Sequence, residues 1–166
     1  MALQICALTR HHDRTDFDCG EDALNTFLQK LARQQAARDF SRTYVAVDDE
    51  QPRIRGFYAM SAGAIEFENW PEGLKLPRYP IPVARIGRLA VDSRDQGSGV
   101  GRALLRHALQ TSMLLADQIG LHAVVVDAKH QRAAAFYGRF GFNALREDGL
   151  TMYLLMPLLR RALIDE

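Results

Sequence analysis

The order of apolar runs predicts an α/β fold: a mixed central sheet flanked by helices, in one domain covering residues 1–166. Three observations carry this expectation. A short apolar run, Leu89-Ala90-Val91, leads into a turn with three alternating glycines, Gln96-Gly97-Ser98-Gly99-Val100-Gly101-Arg102. Behind the turn, Leu104, Leu105, Ala108, Leu109, Ser112, Leu115, Ala116 and Ile119 recur at helical spacing. Further on, Leu121 to Asp127 is a near-continuous apolar run, the pattern of a strand covered on both faces. Strands alternating with helices around a glycine turn define the class.

The elements follow in order. Leu3 to Leu8 reads as a short strand, and His11-His12-Asp13-Arg14 as a polar turn. The adjacent histidines do not make a metal site, because neighbouring side chains on an extended chain face opposite ways and no further ligands share their spacing. Leu24, Phe27, Leu28 and Leu31 form one apolar helical stripe after Phe17-Asp18-Cys19-Gly20. Lys30, Arg33 and Arg38, with Arg42 beyond, lie on this segment as either a solvated face or a local phosphate-binding patch. Thr43 to Val47 and Ile54 to Ala62 are strands joined by the turn Asp48 to Pro52, with Gly56 marking a close backbone approach. Asn69 to Pro82 carries four prolines and reads as a surface loop.

Val83 to Val91 is the strand that enters the glycine turn. Lys129 to Phe140 is a short helix with Ala133, Phe136, Tyr137 and Phe140 at helical spacing, closed by Gly141 as a C-cap. Phe142 to Leu145 and Leu150 to Met156 are the last strands. An amphipathic tail follows Pro157, with Leu158, Leu159, Leu163 and Ile164 as its apolar residues.

The bulk numbers fit a globular chain of 166 residues that is 48% hydrophobic and 25% charged. A net charge of +1 gives no global nucleic-acid footprint, so any RNA contact must be a local patch. Two cysteines, Cys6 and Cys19, make no disulfide framework, and no apolar run is long enough to span a membrane. A cytoplasmic setting is expected, with no membrane partner.

A glycine turn at a helix start aims N–H groups and the positive end of the helix dipole at an anion, which suits phosphate. A P-loop requires Gly-Lys-Ser/Thr, whereas Gly101 is followed by Arg102-Ala103. A dinucleotide fingerprint places its third glycine one residue later and an acid roughly twenty residues on, where this chain has Leu121. The pattern Q-x-x-G-x-G, Gln96 to Gly101, is what remains.

That pattern resembles the pyrophosphate loop of the GNAT acetyltransferases. Together with Arg88 to Val91 and Ala135 to Phe142, it makes nearly the whole chain resemble that family. Phe17 to Gly20, Leu24-Asn25 with Phe27-Leu28, Thr43 to Ala46, Gly56 to Ser61 and Arg88 to Asp92 are more narrowly similar to its toxin branch. The resemblance implies acetyl-CoA as co-substrate, aminoacyl-tRNA as acceptor and a ribbon-helix-helix antitoxin as partner. A homodimer would suit a large tRNA. It also implies that Leu89, Ala90 and Val91 hold the acetyl-pantetheine arm. Gln96, Gly97, Ser98, Gly99, Val100, Gly101 and Arg102 would hold the pyrophosphate, Tyr137 would be the catalytic tyrosine, and no metal is called for. Many members carry an asparagine where this chain has His130.

On this reading the phenol of Tyr137 protonates the departing sulfur as general acid. The strand Arg85 to Arg88 brings no carboxylate, and Glu66 and Glu68 are unassigned candidates for a base. An α-amine, with an ordinary pKa of about 7.7–8.0, needs less help than a lysine at about 10.4, which agrees with an aminoacyl acceptor. Two other functions stay open on sequence alone. One is an acetyltransferase for a small amine or a protein N-terminus, and the other is a non-catalytic acetyl-CoA-binding interaction protein.

Overall fold

The computed structural model describes residues 2–49, 51–146 and 149–164, with side chains through residue 162. Seven strands form one mixed sheet in the order β1-β2-β3-β4-β5-β7-β6. They are β1 (Leu3–Ala7), β2 (Arg42–Asp48), β3 (Gly56–Ile65), β4 (Ile81–Val91), β5 (Ala123–Asp127), β6 (Asn143–Ala144) and β7 (Thr151–Leu155). The helices are α1 (Asp22–Thr26), α2 (Ala32–Ala37), α3 (Val100–Ala116), α4 (Gln131–Gly138) and α5 (Met156–Ile164). The chain forms two compact units, and β3 and β4 contribute residues to both.

The first unit holds residues 1–61 and 88–108. In it β1 pairs antiparallel with β2, and β2 with β3, so that Cys6 faces Val45 and Val45 faces Phe57. Phe57 is fully buried and meets Phe17 edge-on at 5.6 Å and Phe27 stacked at 6.0 Å. Burying each such ring contributes about 1.5–3 kcal/mol. The amphipathic stripe of the first helix is corrected at one position. A π-helical turn, Phe27–Leu31, separates α1 from α2. The extra residue in that turn shifts the phase of everything after it. Ala32 therefore takes the core position at 0% exposure, and Leu31 is rotated out to 40%.

The second unit holds residues 62–87 and 109–166. Here β4 pairs parallel with β5, Arg85 opposite Val125, while β5 pairs antiparallel with β7 and β7 with β6. The proline-rich loop stays at the surface but pins itself with Trp70. Its indole Nε1 donates to the Ile65 carbonyl at 3.2 Å, and its ring stands edge-on to Tyr153 at 5.3 Å.

Several boundaries move. The strand expected from Ile54 begins at Gly56 and runs on to Ile65. Ile54 is nonetheless buried just ahead of it. The long helix stops at Ala116, which leaves Ile119 outside it at 56% exposure, and Leu115 on its last turn lies at the surface. The tail is helical, but its paired leucines part: Leu159 is buried and Leu158 is exposed. Glu50 of the expected turn, and the side chains of Leu163 and Ile164, lie outside the described residues.

Candidate active site

The glycine turn belongs to the first unit. β4 ends at Val91, a short 3-10 turn spans Ser93–Asp95, and α3 begins at Val100. Of the turn's glycines, Gly97 (φ +81°) and Gly99 (φ +91°) adopt left-handed backbone, which side-chain-bearing residues rarely take. No heavy atom lies within 4 Å of where a Cβ would stand on either, so the surface of the turn is open there. The Ala103 amide bonds back to the Gly99 carbonyl at 3.1 Å. The amides of Val100 and Gly101 thus precede the helical ladder, the arrangement that receives an anion.

The side chains of Gln96 and Ser98, both exposed, are hydrogen-bonded to backbone carbonyls of the chain. Gln96 Nε2 donates to the carbonyls of Val91 (3.0 Å) and Cys19 (3.3 Å). The Ser98 hydroxyl donates to the Asp95 carbonyl. These bonds brace the turn. Val100 is buried beneath it and Arg102 is exposed. Upstream, Ala90 is buried while Leu89 and Val91 are half-buried.

The brace extends to residues to which sequence reasoning assigned no role. Asp92, with a side chain 2% exposed, accepts from Arg94 through its backbone N–H, Nε and Nη2, and from the Asp18 amide at 3.2 Å. Ser93 returns two bonds to the Asp18 carbonyl. Asp95 holds Arg53 with two hydrogen bonds, at 2.8 and 3.2 Å, and Arg55 at 3.0 Å. Asp48 holds the far side of Arg55 at 2.6 Å. The signal for these was faint: two carboxylates, Asp92 and Asp95, stand just ahead of the turn.

Arg94's hydrogen bonds, joined by two backbone amides, hold the Asp92 carboxyl down to about 2 from an ordinary 3.8. A depressed carboxylate stabilises the fold above its unfolded pKa, and that stability drains away as pH falls from about 4 towards 2. With Arg94 half-exposed and screened, the loss is about 1–2 kcal/mol. Urea midpoints measured between pH 2 and 6 are expected to fall more steeply for the wild type than for Asp92→Asn. Parallel curves would show that the pair carries no such stability.

Tyr137 lies in the second unit on α4. It is 4% exposed, edge-on to Phe136 at 5.3 Å and to Phe142 at 5.8 Å. Burial pushes its phenol well above the ordinary tyrosine range, and the negative charge of Asp127 adds to the rise. The group stays protonated at any physiological pH. His130 sits at the N-cap of α4 with its Nδ1 accepting from the Ala133 amide at 3.1 Å. In place of the family's asparagine it serves as a helix cap. At the other end Gly141 takes φ +95°, as a C-cap requires.

Asp127 is itself gripped by Arg85. Nε and Nη2 meet its two carboxylate oxygens at 2.7 Å each, a bidentate pair. Arg85 also lines a cavity of about 400 Å³ with Ala64, Ile65, Glu66, Asn69, Leu145, Arg146 and Thr151. Of the two carboxylates left as bases, Glu66 faces this cavity and Glu68 is exposed on the short helical turn beside it.

The basic segment divides. Arg33 and Arg38 are exposed, and the guanidinium of Arg38 lies 4.8 Å from the centre of the Phe40 ring. Arg42 is engaged elsewhere: it donates to the Ala36 carbonyl and to Asp39, both at 2.6 Å, and so closes the end of α2. Among the described residues no group of three or more His, Cys, Asp or Glu is placed to hold a metal. No described helix is long and apolar enough to cross a membrane.

Residues 39–144 match the family model described as acetyltransferase (GNAT) domain. The chain is 39% identical over 156 residues to the tRNA-acetylating toxin of Mycobacterium tuberculosis, covering 93% of this chain and 92% of that one. It is 33% identical to the probable toxin TacT of Sinorhizobium fredii, over 90% and 88% of the two chains. Among solved structures, a tyrosine-to-phenylalanine mutant of KacT superposes with a TM-score of 0.91 at 29% identity, covering 98% and 99% of the chains. AtaT complexed with acetyl-methionyl-tRNAfMet gives 0.88 at 28%, covering 99% and 100%. A tyrosine-to-phenylalanine mutant of AtaT, bound to acetyl-CoA and to the C-terminus of the antitoxin AtaR, gives 0.83 at 27%, covering 97% and 98%.

Proposed function

The chain belongs to the GNAT acetyltransferase family, and from that premise we propose that it is a toxin that moves the acetyl group of acetyl-CoA onto the α-amine of aminoacyl-tRNA. The observation that carries the cofactor half is the turn at Gly97 and Gly99, whose backbone opens at the start of α3. The acceptor half rests on the relatives: one is named a tRNA-acetylating toxin, and another is complexed with acetyl-methionyl-tRNAfMet. Acetylating that amine leaves the aminoacyl group unable to attack as a nucleophile in peptide-bond formation.

In this reading all of residues 1–166 form one catalytic domain. The amides of residues 97–102 bind the pyrophosphate of coenzyme A, and Leu89, Ala90 and Val91 hold the acetyl-pantetheine arm. The neutral amine attacks the thioester carbonyl and negative charge gathers on its oxygen. Backbone amides near Leu89 to Val91 stabilise that charge. The C–S bond then breaks, and Tyr137 gives its proton to the departing thiolate. The resulting phenolate takes the proton that the acylated nitrogen sheds, which restores the phenol. Because burial and Asp127 hold the phenol protonated, the donor form is fully populated when the thiolate leaves.

Arg33 and Arg38 serve as phosphate contacts for tRNA. Arg42 contributes by fixing the end of α2. Its partner is an antitoxin of the ribbon-helix-helix class; that it has an antitoxin partner is supported by the relative AtaT, which is bound to the C-terminus of the antitoxin AtaR. The protein acts in the cytoplasm as a homodimer that offers the basic segment twice to one tRNA. The test is direct. Labelled acetyl-CoA incubated with mixed charged tRNA is expected to yield acetylated aminoacyl-tRNA, while uncharged tRNA stays blank. Transfer to no charged tRNA would reject the acceptor.

A further inference from the structure

The cavity of the second unit is at the lower end of the range for small-ligand pockets, smaller than coenzyme A. Its wall is mixed. Glu66 supplies a carboxylate, Arg85 and Arg146 guanidiniums, Asn69 an amide and Thr151 a hydroxyl, over apolar surface from Ala64, Ile65 and Leu145. A pocket for a simple amine needs a carboxylate and apolar surface. Two guanidiniums add recognition of carbonyl or phosphate oxygens. An aminoacyl nucleotide carries all three features: an α-amine, a side chain, and an ester carbonyl and a phosphate on the two ends of one ribose.

We propose that this cavity receives the aminoacyl end of the acceptor, with Glu66 holding the α-amine and Arg85 and Arg146 holding the ester carbonyl and the terminal phosphate. The assignment deepens the acetyl-transfer reading and rests on it. Arg85 is the fixed member. Of its five N–H donors, two are spent on Asp127 and three are left for a ligand. Its side chain is 35% exposed, so those donors are reachable from solvent. Asp127, at the end of β5, also acts on the phenol of Tyr137. Arg146, on the connection between β6 and β7, is exposed and suits the more solvated phosphate. Ala64, Ile65 and Leu145 then face the amino-acid side chain and set which aminoacyl groups fit. Glu66 fills the gap left by the strand Arg85 to Arg88, which has no carboxylate. It accepts the amine's hydrogen bond and takes up the proton that would otherwise block attack.

The test uses hydrolysis-resistant 3′-aminoacylamino-adenosine 5′-phosphates with small, aliphatic and aromatic side chains, titrated calorimetrically into the full chain. At least one is expected to bind the wild type. Glu66→Gln/Arg146→Ala should weaken that binding about tenfold or more, with acetyl-CoA affinity and melting temperature unchanged because both side chains are exposed. No binding by any analogue, or equal affinity for the double variant, overturns the pocket. Turnover of charged tRNA is scored separately. A wild type that binds an analogue through these residues but never acetylates charged tRNA keeps the pocket and loses the acceptor reading. A double variant that acetylates charged tRNA with unchanged KM loses the pocket and leaves the acceptor reading standing.

Discussion

Tyr137→Phe is expected to lower kcat by about 10²- to 10⁴-fold, the range of one positioned general acid, while the affinity for acetyl-CoA stays within twofold. The reason lies in how the ring is held. Tyr137 is 4% exposed and packs edge-on against Phe136 and Phe142. Phenylalanine fills the same volume in the same packing, so the substitution removes a hydroxyl and little else. The pH dependence sharpens the test. Burial first, and the Asp127 charge second, raise the phenol's pKa above its ordinary value of about 10. The proton is then lost only at strongly alkaline pH. kcat/KM should rise as the acceptor amine deprotonates, near pH 7.7–8.0 for an ordinary α-amine, and then hold level to at least pH 10. Stopped assays across pH 6–10 on both proteins read this. A variant with wild-type kcat, or a wild type whose rate falls between pH 8 and 9, would remove Tyr137 from the proton transfer.

Much of this was legible from the residues in order. The run at Leu89–Val91 ends β4, and the core of Leu121–Asp127 is β5, whose Ala123 to Val126 are fully buried as an apolar run of that kind requires. The turn at Gln96–Arg102 was readable because positive φ is nearly a glycine property, and two of its three glycines adopt it. Local pattern was blind to what distant partners decide. The side-chain bonds of Gln96 and Ser98 go to Cys19, Val91 and Asp95, partners that the glycine spacing does not announce. Leu31 obeyed the helical period but was displaced by a π turn that no spacing rule announces. Arg85 acquires meaning only through Asp127, forty-two positions on, and Asp92 is tied to the distant Asp18 amide as well as to Arg94 beside it. Glu66 needed the whole wall of a cavity before it could be set apart from Glu68.

Gly56→Ala should then weaken acetyl-CoA binding at least tenfold, although residue 56 lies forty positions before the turn. A methyl group there would stand 2.8 Å from Leu104 Cδ1, 3.0 Å from the Ala90 carbonyl oxygen and 3.1 Å from Val100 Cγ1. The leucine can swing aside. The carbonyl cannot move without moving β4, and Val100 cannot move without moving the first turn of α3. Overpacking of this kind costs about 1–3 kcal/mol in stability, and relief comes from lifting the start of α3 off the strands. That start carries the amides assigned to the pyrophosphate, and an ångström of displacement there is costly to a preorganised site. Gly99→Ala supplies the contrast. Its methyl group meets nothing within 4 Å, so the penalty is left-handed backbone strain of about 1–2 kcal/mol confined to the turn. Calorimetric titration with acetyl-CoA and thermal melts on both variants separate the two effects. If Gly56→Ala melts several degrees lower yet binds acetyl-CoA as the wild type does, the first turn of α3 is not where the pyrophosphate is held.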